Sequence, residues 1–203
     1  MREGKDSNMR NGPRLITFSA VFVAVSEVLL LTADAQSPPT AKASDSVLPR
    51  KAVVPISTAN RFFPEVTSEA RTGRNLTAVA NPKATRSVIY ANSDRTRKVT
   101  ITVDEYATTS DASSAYHEAV AKSKTVPGFK PVPAENLGQN AFIGTVTQGG
   151  ETHIGLGELH GTMIVGATLA GYDLTPENTA RLISLTHEEQ RVVKVAIDGN
   201  RQK

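Results

Sequence analysis

Three glycines, Gly155, Gly157 and Gly161, form a G-x-G-x-x-x-G pattern within the stretch THIGLGELHGTMIVG. Glycine-rich loops bind nucleotide phosphates when they follow a parallel strand and open a helix, because the N-terminal amides of that helix face the pyrophosphate. Here Gly161 is followed by TMIVGATL, a β-branched and apolar run without helical periodicity. The pattern therefore predicts glycines inside a strand, where they permit close packing or a bulge, and not a nucleotide site.

The same stretch contains the best candidates for a metal site. In a regular strand Glu151 and His153 share one face, and His160 follows in the turn. Carboxylates and imidazoles are common zinc ligands, although the spacing matches no established motif such as H-E-x-x-H. The alternatives are a metal-binding or metal-dependent function that uses Glu151, His153 and His160, and ordinary polar residues at the ends of a strand. No other metal or cofactor is expected.

Nucleophilic catalysis would require a nucleophile, a base and a group that orients the base. Ser113 lies one helical turn from His117, but no G-x-S-x-G elbow or oxyanion loop accompanies them. The neighbouring carboxylates Asp104 and Glu105 point to opposite faces of a predicted strand, so they cannot act as an acid–base pair. The sequence therefore favours a non-enzymatic protein.

Basic residues are concentrated between Arg71 and Lys98, where Asp94 is the one acidic residue. Such a cluster predicts either attraction to an anionic partner or membrane surface, or an edge strand protected by charge. The formal net charge of +3, the low aromatic content of 5% and the lack of tryptophan argue against sequence-specific nucleic-acid binding. The candidate residues for an anionic partner are Arg86, Arg95, Arg97 and Lys98.

The N-terminus has the organisation of an export signal over residues 1–35. A basic region precedes the apolar run LITFSAVFVAVSEVLLL, and Ala33 and Ala35 place small side chains at the −3 and −1 positions of a cleavage site. The alternative is an uncleaved anchor, although the run is short for a membrane span and contains Glu27. The chain has no cysteine, so neither a disulfide nor a lipid anchor on cysteine is expected. These features predict a periplasmic or secreted protein cleaved after Ala35.

Composition and periodicity divide the remaining chain. Residues 36–55 are rich in proline, serine and alanine and predict a flexible linker, residues 56–196 a single α+β domain, and residues 197–203 a polar tail. The sequence of this domain predicts a short helix, two strands, a helix, three strands and a final helix, in that order. Tight hairpins make neighbouring strands antiparallel. The sequence therefore predicts an antiparallel sheet of about five strands packed with two main helices, with no transmembrane span after the signal.

This element order, with the segment LGQNAFIGTV, resembles small extracytoplasmic domains of the PsbP-like or Mog1-like type and sensor domains outside bacterial membranes. The resemblance covers about 110 residues, between Arg86 and Val195. It implies an accessory, scaffolding or ligand-sensing role and identifies no site residue. The leading hypothesis is an exported binding or interaction module whose partner is an envelope protein, a small ligand or an anionic surface.

Overall fold

The computed structural model of this chain describes residues 46–134 and 137–201, with side chains as far as Ala196. The predicted signal and residues 36–45 lie outside the described residues. The described part is an α+β fold with three α-helices and one antiparallel sheet. The helices are α1 (Ile56–Phe62), α2 (Thr109–Lys124) and α3 (Pro176–Arg201), and the strands are β1 (Ser68–Gly73), β2 (Ala84–Ala91), β3 (Lys98–Glu105), β4 (Lys130–Pro131), β5 (Ala141–Gln148), β6 (Glu151–His160) and β7 (Met163–Ala170).

The sheet has seven strands in the order β1-β2-β3-β7-β6-β5-β4, so the expectation of about five strands was wrong. The two additional strands lie at the edges. β1 is almost fully exposed and β4 has only two residues, so neither has the alternating apolar pattern that marks a strand in a sequence. The three α-helices are the predicted short first helix, α1, and the two predicted main helices, α2 and α3.

Hairpin geometry explains the central strands. Gly149 and Gly150 have φ of +60° and +85° in the β5–β6 turn, a backbone conformation that residues with side chains rarely adopt.

The central pair of strands is formed by residues distant in sequence. β3 and β7 are neighbours although α2 and three strands separate them in sequence, and they pair antiparallel from Lys98 opposite Ala170 to Glu105 opposite Met163. The core strands are thus held by non-local pairing.

Helices cover both faces of the sheet. Side chains from α1 and α3 form the main core with Val88, Ile101 and Leu156 and their neighbours, and we call this side the α3 face. A smaller cluster on the opposite side, the α2 face, joins Ala112, Ala115 and Tyr116 of α2 to Ile164. Thr108 caps α2, since its side chain accepts a hydrogen bond from the Asp111 amide.

The N-terminal segment from Ser46 to Pro55, expected within a flexible linker, packs onto the domain. Leu48, Val53 and Val54 are at most 5% exposed and belong to the main core. Val47 forms a bridge with Thr85 of β2. The predicted linker therefore does not extend to residue 55. The prediction was wrong because the apolar residues of this segment stand between prolines and serines, which are typical of a linker. At the other end, α3 continues to Arg201, into the predicted polar tail.

Candidate functional site

The glycines of the G-x-G pattern lie within a strand, as the sequence predicted. Gly155 and Gly157 are in the middle of β6, which is paired on both sides, and Gly161 is in the β6–β7 turn with φ of +58°. Strand β7 follows this turn, so the glycine pattern does not lead into a helix. A Cβ added to Gly157 would meet open space, whereas one added to Gly166 would lie 2.5 Å from the hydroxyl of Thr102.

The three candidate metal ligands lie on two sides of the sheet. Glu151 and His153 share the α2 face, with Oε2 of the glutamate 3.8 Å from Nε2 of the histidine. His160 is seven residues beyond His153, and because side chains alternate along a strand it lies on the α3 face. There its Nε2 is 3.1 Å from Oε2 of Glu158. Within the part of the chain that the structure describes, no group of three His, Cys, Asp or Glu side chains could hold a metal ion.

Glu158 joins β6 to α3, a contact that the sequence analysis missed. Its carboxylate is 3% exposed, and its second oxygen lies 3.7 Å from Nε2 of His187 on α3. The i, i+2 spacing of Glu158 and His160 placed them on one face, but nothing in the sequence indicated that His187 meets them. The side chain of His187 is half exposed there.

The residues predicted to attract an anionic partner occupy two separate places. Arg95, Arg97 and Lys98 are at the β2–β3 turn, where Arg95 is exposed and has φ of +61°. The guanidinium of Arg97 lies 3.7 Å from Glu65 and stacks over the ring of Tyr172, so its charge is partly compensated. Arg86 lies within β2 and donates hydrogen bonds to the Leu48 carbonyl and to Thr72. The structure therefore brings together three of the four residues.

A buried polar cluster, the Glu189 cluster, attaches the N-terminal segment to the fold. It consists of Glu189, Val54, Tyr90, Arg50 and Glu69. Oε2 of Glu189 accepts a 2.7 Å hydrogen bond from the Val54 amide, and the Tyr90 hydroxyl donates to the Val54 carbonyl. Arg50 donates to that hydroxyl at 2.6 Å and to Glu69 at 2.7 Å. Burial raises the pKa of Glu189 to about 8, although the Val54 hydrogen bond lowers it in part.

A second buried carboxylate, Asp104 of β3, holds the loop between β1 and β2. Both of its oxygens lie within 3.0 Å of Nδ2 of Asn75, and its side chain is almost fully buried. Burial raises the pKa of Asp104 to about 7, and the hydrogen bond from Asn75 lowers it in part. Asn75 also begins the sequon-like NLT triplet, but the structure uses its amide in this contact.

Sequence comparison gives no match to a known family model or to a curated protein. Two solved structures are similar to the chain, both from Mycobacterium tuberculosis. One is the extracellular domain of PknH, with a TM-score of 0.48 and 10% identity over 69% of this chain and 93% of that domain. The other is LpqN, described as involved in cell envelope biogenesis, with a TM-score of 0.31 and 12% identity over 60% of this chain and 76% of that one. Similarity at this level establishes no shared function, and the resemblance to PsbP-like or Mog1-like domains stays a prediction.

Among the helices of the described residues, none is both long and apolar enough to cross a bilayer. The export signal, its cleavage after Ala35 and the periplasmic or secreted location stay predictions from the sequence.

Proposed function

We propose that this chain is an exported, non-enzymatic module that acts by binding a partner outside the cytoplasm. One observation carries the proposal. Four carboxylates of the described fold are buried, and each contacts a separate part of the chain: Glu189 the Val54 amide, Asp104 Asn75, Glu105 Lys83, and Glu158 His187. Acidic groups that are buried and bonded in this way stabilise the closed fold, and in this arrangement they are not presented to a substrate.

The signal-like N-terminus supports the exported location, and the fold supports a role in binding. Helices cover both faces of the sheet, so the outer surfaces of α2 and α3, the strand edges and the hairpin turns are the parts that a partner can reach. Among these, the β2–β3 turn presents Arg95 to solvent. An anionic group, from a lipid or an acidic polymer, is the partner chemistry that this turn favours.

The test combines a substrate panel with binding to a defined anionic surface. We expect no turnover of esters, peptides or phosphoesters, and we expect retention on vesicles of phosphatidylglycerol and phosphatidylcholine that weakens as salt is added. The substitution Arg95→Ala should reduce retention, whereas Arg191→Ala, an exposed arginine paired with Glu188 on α3, should not. Turnover that co-purifies with the protein would contradict the non-enzymatic assignment. Equal retention of the two variants would contradict the proposed anionic partner and would leave the non-enzymatic assignment unaffected.

A metal-dependent role is the second candidate, and the Glu151–His153 pair on the α2 face is the observation that favours it. Two donors provide only part of a zinc site, which takes three or four protein ligands. Metal analysis of the purified protein tests this role. Stoichiometric zinc that is lost in His153→Ala but kept in His117→Ala, an exposed histidine on α2, would establish it. If the protein holds no zinc after incubation with zinc and desalting, the metal-dependent role is contradicted.

A further inference from the structure

The loop between β1 and β2, residues 74–83, closes over the end of β3. We call it the Asn75 loop. Asn75 makes three hydrogen bonds in this loop. Its amide nitrogen donates to the Thr85 hydroxyl at 3.1 Å, and its side-chain oxygen accepts from the Thr77 amide at 3.1 Å. Its side-chain nitrogen donates to Asp104. A second attachment is the Tyr106 hydroxyl, which donates to the Val79 carbonyl at 2.7 Å. The loop therefore rests on a carboxyl group and a phenol from the same stretch of chain.

The Asn75 loop combines these polar contacts with an exposed and a strained residue. Leu76 is 65% exposed and Ala80 has φ of +56°, a conformation that costs a non-glycine residue energy. Thr77, Val79 and Pro82 are its buried residues. A surface loop that contains a strained residue opens at a lower free energy than the strands beneath it.

We propose that the Asn75 loop is a lid whose opening is controlled by the ionisation of Asp104, and that opening uncovers Asp104 and Tyr106 as a polar binding surface. When the lid is closed, the carboxyl group is shielded from water and its charged form is disfavoured. When the lid is open, water reaches the carboxylate and it ionises readily. Opening therefore releases a proton, and a rise in pH favours the open lid.

The charged residues near Asp104 do not take over its role in controlling the opening of the lid. Lys83, at the end of the loop, forms a 3.0 Å ion pair with Glu105, which points to the other face of β3. Arg74 lies at the beginning of the loop. On the strands beside Asp104, the cross-strand partners are Thr85 and Ile164, which carry no charge.

Glu158 and His160 of β6 lie at the same end of the sheet but on its α3 face, whereas Asp104 lies on the α2 face. Two further titratable groups near Asp104 are Tyr106 and, on α2, Glu118. Both Asp104 and Glu118 raise the pKa of Tyr106 further, in addition to the larger effect of burial. The tyrosine hydroxyl thus stays protonated and remains a donor to the lid throughout the range in which Asp104 ionises.

The pH window follows from the two states of Asp104. Its pKa is about 7 in the closed fold and has the ordinary value of 3.8 as the reference for the exposed group. Between these values the open lid is ionised while the closed lid is protonated, so the opening constant rises by up to tenfold for each pH unit. Below about 4 and above about 7 both states carry the same charge, and the opening constant becomes independent of pH.

Amide hydrogen exchange of the full chain, corrected for the intrinsic rate at each pH, measures this opening. The reporters are the amides of Asn75 and Thr77, which in the closed loop donate to the Thr85 hydroxyl and to the Asn75 side-chain oxygen. We expect their opening constants to rise steeply between pH 4.5 and 7 and to level off above pH 7. In Asp104→Asn the slope should vanish, because the asparagine stays neutral and can still accept a hydrogen bond from Asn75.

Two further variants make the result specific. Asn75→Ala removes both the donor to Asp104 and the acceptor of the Thr77 amide, so opening is read at the amide of residue 75 alone. Its opening constant should rise at every pH while the slope remains. Asp173→Asn, an exposed aspartate beyond β7, should behave like the wild type. A slope that persists in Asp104→Asn overturns the proposal. If Asp104→Asn does not fold, the carboxyl ¹³C titration of Asp104 in the wild type decides: a midpoint near 7 supports the lid, and one below 5 overturns it.

Discussion

The Oε2 atom of Glu189 on α3 lies 2.7 Å from the amide nitrogen of Val54, so the final helix is bonded directly to the segment that leads into the domain. The two residues are 135 positions apart, and both are fully shielded from solvent. The other carboxyl oxygen of Glu189 is buried without a hydrogen-bond partner among the described residues. This arrangement suits a protonated carboxyl group, which explains why burial raises the pKa of Glu189.

The first prediction concerns the pH dependence of stability. Because the pKa of Glu189 rises from 4.5 to about 8 on folding, the folded state holds an extra proton between these values. Its contribution is therefore complete below pH 4.5 and is lost as the pH rises to about 8, by ~5 kcal/mol of unfolding free energy. Urea unfolding at a series of pH values measures this loss.

Matched variants isolate Glu189 from other titrating groups. Glu189→Gln imitates the protonated acid, so it should reduce the pH dependence and be more stable than the wild type at pH 8.5. Glu177→Gln, in the exposed first turn of α3, should keep the wild-type profile. An unchanged profile in Glu189→Gln would show that the carboxyl group ionises without cost in the folded protein.

The second prediction concerns the attachment of the N-terminal segment by Arg50. Arg50→Ala removes the hydrogen bonds to Tyr90 and Glu69 and leaves the tyrosine hydroxyl with one partner fewer. We expect a loss of about 1–3 kcal/mol in unfolding free energy. Arg71→Ala, an exposed arginine of β1, should change it by less than about 0.5 kcal/mol. Equal effects in both variants would mean that the cluster does not hold the segment.

The third prediction separates glycines required by packing from those that are not. A Cβ on Gly144 would lie 2.3 Å from the ring of Phe129, whereas one on Gly157 would meet nothing within 4 Å. We expect Gly144→Ala to destabilise the fold by about 1–3 kcal/mol, and Gly157→Ala to be neutral or slightly stabilising. Thermal unfolding of the two variants compares them directly, and a large loss in Gly157→Ala would show that this part of the α2 face is filled.

The fourth prediction concerns the turn after β7. Gly171 has φ of +75°, and a Cβ there would lie 1.9 Å from the carbonyl oxygen of Thr96 in the β2–β3 turn. Gly171→Ala should therefore cost more than about 3 kcal/mol and displace that turn. Gly161→Ala is the matched control, since Gly161 has φ of +58° and open space, so it carries only the backbone strain of about 1 kcal/mol. Similar losses in both variants would remove the steric explanation.

Local patterns predicted the parts of the fold that depend on local interactions. Alternation in KVTITVDE indicated β3, the apolar stripe of SDASSAYHEAV indicated α2, and glycine dipeptides indicated the β5–β6 and β6–β7 hairpins. The edge strand β1 was not predicted because an exposed strand lacks the alternating apolar residues that indicate a strand in a sequence. The packed segment around Val53 escaped because its apolar residues stand between prolines that are typical of a linker.

The candidate sites show the same division. Strand alternation in the sequence placed Glu151 and His153 on one face, and their side chains lie 3.8 Å apart. The sequence put His160 in the turn, whereas the structure places it at the end of β6 beside Glu158, on the other side of the sheet. The partners of Glu158, Asp104 and Glu189 depend on contacts across 29 to 135 residues of chain, which no periodicity contains. The sequence by itself determined the helices, the hairpins and the α+β class, because these follow from neighbouring residues. Only the tertiary structure decided which acidic groups are buried and what each one holds, because burial is a property of the whole packed chain.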